Sequence, residues 1–158
     1  MKTLLSLTAL CTTLLSAETP SEVLRQFKKS AQAKDFDATW AHTAKFEGQP
    51  KVLTDYFKEE IRDFIELTNM GWDFEIREEK VEGDCAVIVI NEHKKNGVDS
   101  FDLDPIYLIK QGDQWKVLPE LTNWDEAKRG MKDQVAILEK LELWFNRRKA
   151  EIKKAENP

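Results

Sequence analysis

The sequence predicts an α+β domain in which helices come first, an antiparallel meander of about four strands follows, and a long helix closes the chain. Three observations carry that order. Apolar residues recur at helical spacing before Gly71, at alternate positions after it, and at helical spacing again beyond Asn123. Glycine-bearing turns punctuate the alternating segments. No repeat, low-complexity tract or linker divides the chain, so one globular unit is expected.

Residues 1–17 are expected to be a cleavable export signal. Lys2 supplies a short positive start, Leu4 to Leu15 an apolar and hydroxyl-rich run, and Ala17 a small residue before the cut, ahead of Glu18. A membrane anchor would need roughly 20 apolar residues, and this run is shorter and broken by Thr and Ser. Lipid attachment at Cys11 is disfavoured because Leu10 stands where that processing needs a small residue. The expected location is therefore exported, periplasmic or secreted, without a transmembrane anchor.

The first helix is predicted to start at Thr19-Pro20-Ser21-Glu22. Thr19 can cap, proline fits the first helical position, and Glu22 can reach back to complete a capping box. Val23, Leu24, Phe27 and Ala31 form its apolar side. Lys34-Asp35 ends that helix and begins a short second one, with Phe36 and Trp40 four residues apart. Gly48-Gln49-Pro50 breaks the chain again. A third helix is expected over about 51–70, with Leu53, Phe57, Ile61, Phe64 and Ile65 on its stripe and Gly71 as its stop. Lys58, Glu59, Glu60 and Arg62 form a solvated face with local ion pairs.

Beyond Gly71 the period becomes two. Trp72, Phe74 and Ile76 alternate with Asp73, Glu75 and Arg77, and Glu82-Gly83-Asp84 turns into the apolar strand Cys85 to Ile90. Asn96-Gly97 suits a two-residue hairpin turn. A third strand from Val98 is expected to be interrupted near Asp104-Pro105, because proline donates nothing to a ladder, and to resume over 106–110. Gln111-Gly112-Asp113 leads into a fourth strand, 114–118. The closing helix is predicted from Asn123 to about Lys154. Met131, Val135, Leu138, Leu141 and Phe145 form its stripe, widened by Ile137, Trp144 and Ile152. Thirty such residues would span roughly 45 Å and overhang a small sheet.

Hydrophobic residues make up 41% of the 158 and charged residues 34%, enough for a core under a strongly hydrated surface. The net charge of −5 excludes an overall basic footprint for nucleic acid. Loss of residues 1–17 would leave Cys85 without an intramolecular disulfide partner, so stability must come from packing. In its apolar run Cys85 reads as a small buried strand residue rather than a reactive thiol.

Several segments carry a resemblance. They are Pro20 to Phe27, the junction Ala33 to Trp40, and above all the hairpin Ile106-Tyr107-Leu108-Ile109-Lys110-Gln111-Gly112-Asp113-Gln114-Trp115-Lys116-Val117. Through them the chain resembles the small exported members of the nuclear transport factor 2-like (NTF2-like), cystatin-like superfamily over roughly residues 18–118. The resemblance implies a cone: helices packed on a curved antiparallel sheet that opens into an apolar pocket. Residues 18–122 would form this domain, and 123–158 an added amphipathic helix and tail. That helix departs from the common pattern and could cover the sheet surface used for dimers. Members include isomerases, cyclases, dehydratases and noncatalytic binding or assembly domains, so the fold alone does not select a function.

Isomerases of this superfamily use a pocket carboxylate base with a hydrogen-bond donor. Asp37, His42, Tyr56, Asp102 and Tyr107 are the available groups, and none falls in a transferable motif. Asp99, Asp102 and Asp104 could suggest calcium, but they lack the glycine and distal glutamate of a calcium loop. No His/Cys set for zinc, phosphate loop, serine nucleophile motif or dinucleotide fingerprint is present, so neither a metal nor a cofactor is expected. The pocket candidates are Trp40, Tyr56, Asp102 and Tyr107. The partner-binding candidates are Trp144, Arg147 and Arg148, on a basic helix end with Lys149, Lys153 and Lys154; the simpler alternative is a solvated end complementing the helix dipole. Trp72 and Trp115 read as core, and Trp124 completes the tryptophan set. The expected function is an exported noncatalytic binding or assembly domain, engaging a small apolar ligand or an envelope protein, with a homodimer through the closing helix as a further possibility. The alternative is a small lyase or isomerase using Asp37, Asp102 or Tyr107 in the cone.

Overall fold

A computed structural model describes residues 18–46, 48–94, 103–119, 131 and 133–156. The export signal, Asn96-Gly97, Asp99, Asp102, Trp124 and the boundary at residue 122 lie outside the described residues. Helix α1 spans Pro20–Gln32 and opens with the expected capping box. The Glu22 N–H donates to Thr19 Oγ1 at 3.3 Å, and the Thr19 N–H donates to Glu22 Oε2 at 2.7 Å. A second carboxylate arrives from a distant strand: the Ser21 N–H donates to Glu79 Oε2 at 2.8 Å. Unsatisfied N–H groups and the helix dipole favour negative charge at this end. Val23, Leu24, Phe27 and Ala31 are all buried.

Lys34 adopts a left-handed φ of 59°, which reverses the chain into α2, Phe36–Ala41, capped by Asp35 through a 2.9 Å bond from the Ala38 N–H. Helix α3 covers Lys51–Asn69 and buries Leu53, Phe57 and Ile61. Phe64 and Ile65 are half-buried, and Phe64 meets Phe27 and Trp72 at centroid distances of 4.8 and 5.5 Å.

Four antiparallel strands follow in the order β1-β2-β3-β4 and curl into a half-barrel. They are β1 Trp72–Glu82, β2 Cys85–Lys94, β3 Leu103–Gln111 and β4 Gln114–Val117. Two-residue loops, Gly83-Asp84 and Gly112-Asp113, join β1 to β2 and β3 to β4. Their glycines take φ of 57° and 62°, which tight hairpins demand and side chains disfavour.

Pro105 does not interrupt the third strand. It sits within β3, opposite Val89. The Tyr107 carbonyl accepts from the Leu118 N–H at 2.9 Å, so alternate residues 105, 107 and 109 turn their backbone groups toward the β4 side. β4 reaches only to the partner of Leu108, and at Pro105 no ladder bond is required of the nitrogen.

The closing helix is also shorter than expected. Helix α4 runs Val135–Glu156, about 33 Å at the usual rise. A helix continuous from Asn123 is excluded because Met131 is non-helical and Asp133-Gln134 form a turn. The Met131 side chain is buried, and its carbonyl accepts from the Gln134 and Val135 N–H groups at 2.8 and 3.1 Å. That carbonyl closes the first turn of α4.

Helix α1 packs on one face of the sheet and α4 on the other, while α3 contributes to both clusters. Ala86, Ile88, Ile90, Leu108 and Val117 join Val23, Leu24 and Phe27 of α1 and Ile61 of α3 in one apolar cluster. Cys85, Val87, Val89, Leu103 and Ile109 join Leu138, Leu141 and Phe145 of α4, with Leu53 and Phe57 of α3. Residues 85–91 of β2 are consequently buried from both sides.

Candidate functional site

The aromatic pocket candidates converge on the α4-side cluster. Trp40, Tyr56 and Tyr107 are half-buried and pack against it, and the Tyr56 ring lies 6.2 Å from that of Phe57. Burial, reinforced by the charge of Glu142, holds the Tyr107 phenol well above its ordinary pKa. Asp37 lies exposed in the first turn of α2. No hydrogen bond or ion pair joins Asp37 to Tyr107 among the described residues. Asp104, near the start of β3, faces Lys149 Nζ at 3.8 Å. No group of three or more His, Cys, Asp or Glu residues positioned for a metal occurs among the described residues.

Around Trp40 the chain gathers cations from three further places. Thr43 bridges Val117 in parallel fashion, with the Val117 N–H donating to the His42 carbonyl and the Ala44 N–H to the Val117 carbonyl, both at 2.8 Å. This bridge lays the segment after α2 along β4, setting His42 and Lys45 beside Lys116. Gln111 fixes the position of Lys45: its side chain accepts from the Lys45 N–H at 3.1 Å and donates to the Lys45 carbonyl. Lys45 Nζ lies 5.1 Å from the Trp40 ring centroid, and Lys58 Nζ of α3 lies 5.8 Å from it. Lys116 Nζ donates to the Ala41 carbonyl at 2.8 Å. Burial and then the charge of Lys45 lower the Lys116 pKa; burial and then Lys116 lower that of His42. Glu18 opposes both shifts. Lys45, Lys58 and Lys116 are far apart in the sequence, and the packing of α2 on α3 together with the Thr43–Val117 bridge brings them to the surroundings of Trp40.

The α4 candidates divide by their contacts. Trp144 packs half-buried on the core with Lys80 Nζ 6.0 Å from its ring. Arg148 Nε donates to Glu78 Oε2 at 2.6 Å, and another guanidinium nitrogen donates to Glu151 at 3.0 Å. These bonds favour its charged form. Arg147 is exposed on the outer surface of α4, next to Leu143, Asn146 and Ala150. Cys85 is fully buried, and burial pushes its thiol up to about 11, with Asp84 and Glu82 adding to the shift. No described helix is long and apolar enough to cross a membrane.

No sequence-family profile matches the chain, and no curated protein does. Among solved structures, it is similar to an NTF2-like candidate transpeptidase from Campylobacter jejuni. The match has a TM-score of 0.50 at 19% identity, over 65% of this chain and 100% of that one. At that identity the likeness speaks for architecture alone. Taken with the order of helices and the curled four-stranded meander, it shows that this chain has the NTF2-like fold.

Proposed function

We propose that the protein works after export as a noncatalytic binding or assembly domain. The observation supporting this reading is the different setting of the two acid–base candidates among the described residues, Asp37 and Tyr107. Tyr107 reaches the α4-side cluster with its proton held tightly, while Asp37 lies exposed on α2. Proton abstraction at neutral pH calls for a poised base within hydrogen-bond reach of the substrate. The half-buried rings of Trp40, Tyr56 and Tyr107 suit apolar contact instead. The transpeptidase description belongs to the Campylobacter protein; here Cys85, the one cysteine among the described residues, is buried and strongly protonated, conditions opposed to nucleophilic attack. Export is supported by the composition of residues 1–17. Of the α4 candidates, Arg147 is the one presented outward for a protein partner.

Two measurements test the proposal. The chain is produced with its own residues 1–17 in the cell that makes it, fractionated, and crosslinked to neighbours in the envelope. In parallel, the purified protein is screened for thermal stabilisation by small apolar ligands. The expected result is an extracytoplasmic product with a specific partner or a stabilising ligand. A cytoplasmic product, or the absence of both partner and ligand, overturns it.

A further inference from the structure

We propose that the basic cluster around Trp40 is a binding site for a compact multivalent oxyanion of the diphosphate type. This site is distinct from the outer face of α4 and names a ligand chemistry that the binding-domain reading leaves open. The chain as a whole is acidic, yet Lys45 of the α2–α3 loop and Lys58 of α3 share the Trp40 ring, while Lys116 of β4 lies within electrostatic reach of Lys45 and of His42 at the end of α2. None of the four forms an ion pair among the described residues. Lys45 and Lys58 lean on the Trp40 ring, and Lys116 is held by a neutral carbonyl. Like charges collected in this way repel, and an anion placed among them removes the repulsion while forming charge-assisted hydrogen bonds.

Lys45 is the shared member of the cluster: it meets the Trp40 ring together with Lys58 and acts on the charge of Lys116, so a ligand with two phosphoryl groups can engage Lys45 along with a second cation. The cluster is also held in place from below. Gln111 clamps the Lys45 backbone on both sides, and the Thr43–Val117 bridge ties that segment to the strand bearing Lys116. The same loop holds Gln49, whose Oε1 accepts from the Phe46 N–H while its buried Nε2 has no acceptor among the described residues. Glu18, the acidic group that acts on both His42 and Lys116, is held by Gln26 through a 2.8 Å bond to its carboxylate.

The test is calorimetric titration of the full chain with inorganic pyrophosphate at near-physiological salt. It is repeated with the double variant Lys45→Gln/Lys58→Gln, with Lys116→Met, and with Lys153→Gln/Lys154→Gln and Lys154→Gln on α4 as controls matched in charge to each. Thermal unfolding of each variant confirms that it is folded. One saturable site is expected, weakened about tenfold or more by Lys45→Gln/Lys58→Gln and by Lys116→Met and unchanged by the controls. A second arm uses vesicles of phosphatidylglycerol and phosphatidylethanolamine. Binding to vesicles but not to pyrophosphate, lost in the same variants, assigns the phosphate to a lipid headgroup. Binding to neither probe, or equal weakening by the α4 controls, overturns the proposal. Partner crosslinking is then repeated with the Lys45→Gln/Lys58→Gln variant. A retained partner alongside lost anion binding separates failure of this site from failure of the binding-domain reading.

Discussion

Leu141 and Leu143 lie two residues apart on α4, and the structure assigns them opposite fates. Leu141 is 0% exposed, wedged with Leu138 and Phe145 in the cluster that includes Cys85, Val87 and Val89. Leu143 is 64% exposed on the outer face. Truncating a fully enclosed leucine removes its transfer free energy and leaves a cavity, so Leu141→Ala should cost about 3 kcal/mol. Leu143→Ala should stay within about 0.5 kcal/mol, as surface changes do. With a urea dependence of about 2 kcal/mol per molar, the first variant shifts the midpoint by about 1.5 M and the second by about 0.25 M or less. Equilibrium urea unfolding, followed by far-UV circular dichroism and by tryptophan fluorescence, reads both shifts. If α4 is integral to one core, the two signals coincide and Leu141→Ala moves them together. A shift below about 1 kcal/mol for Leu141→Ala, or an early separate loss of helix signal, would show that α4 is a loosely docked appendage.

Other consequences follow from the same contacts. Thr19→Ala removes the side-chain acceptor of the α1 capping box and should destabilise the fold by about 1 kcal/mol in the same assay, with an unchanged midpoint refuting the cap. In a Cys11→Ser background, Cys85 should react with a disulfide reagent at pH 8 far more slowly in the native state than in urea; equal rates would refute its burial. Above pH 9 the unfolded thiol releases its proton while the folded one, at about 11, retains it, so this group makes stability fall as pH rises through that window. The His42 imidazole should titrate below the ordinary histidine range by proton NMR, and Lys116→Met should move it upward. Its lowered pKa means that the unfolded state takes up protons first, so this group makes stability fall as pH drops toward and through the ordinary histidine value. A midpoint indifferent to Lys116→Met would remove that lysine from its surroundings.

The helices were legible wherever one residue type decides a local outcome. Thr19, Pro20 and Glu22 start α1 by hydrogen bonds confined to four residues, and Val23, Phe27 and Ala31 announce its buried side. Gly83 and Gly112 mark their hairpins because only glycine takes those φ values without strain. Local preference misled at two places where tertiary context decides. The penalty for Pro105 depends on whether β4 extends alongside it, which nothing within β3 reveals. The start of α4 depends on Met131 dropping into the core, although its spacing continues the helical stripe through Val135 and Leu138. The convergence of lysines at Trp40 was illegible for a related reason. Lys45, Lys58 and Lys116 are distant in sequence, and each alone reads as a solvated charge.

The least visible feature of the sequence governs how α4 fits. Alternation from Trp72 through Ile76 would, if continued, place Glu78, Lys80 and Glu82 on the α1 face among apolar side chains. A register shift between Ile76 and Glu78 prevents this: Ile76 pairs with Ile90, whereas Glu78 pairs with the neighbouring Val89. The extra residue, Arg77, inverts the faces of the rest of β1. Val81 and Glu79 turn to the α1 side, where Glu79 meets the start of that helix. Glu78, Lys80 and Glu82 turn to the α4 side, where Arg148 pairs with the first, the Trp144 ring lies near the second, and Lys140 stands 3.6 Å from the third. The charges on both elements are therefore complementary only across the bulge. A sheet with regular alternation would bury three charges under α1 and leave α4 a different surface. The added helix and the irregular first strand thus form one structural device, and the basic side chains on the inward part of α4 are spent on holding it, which leaves Arg147 as the outward charge of that turn.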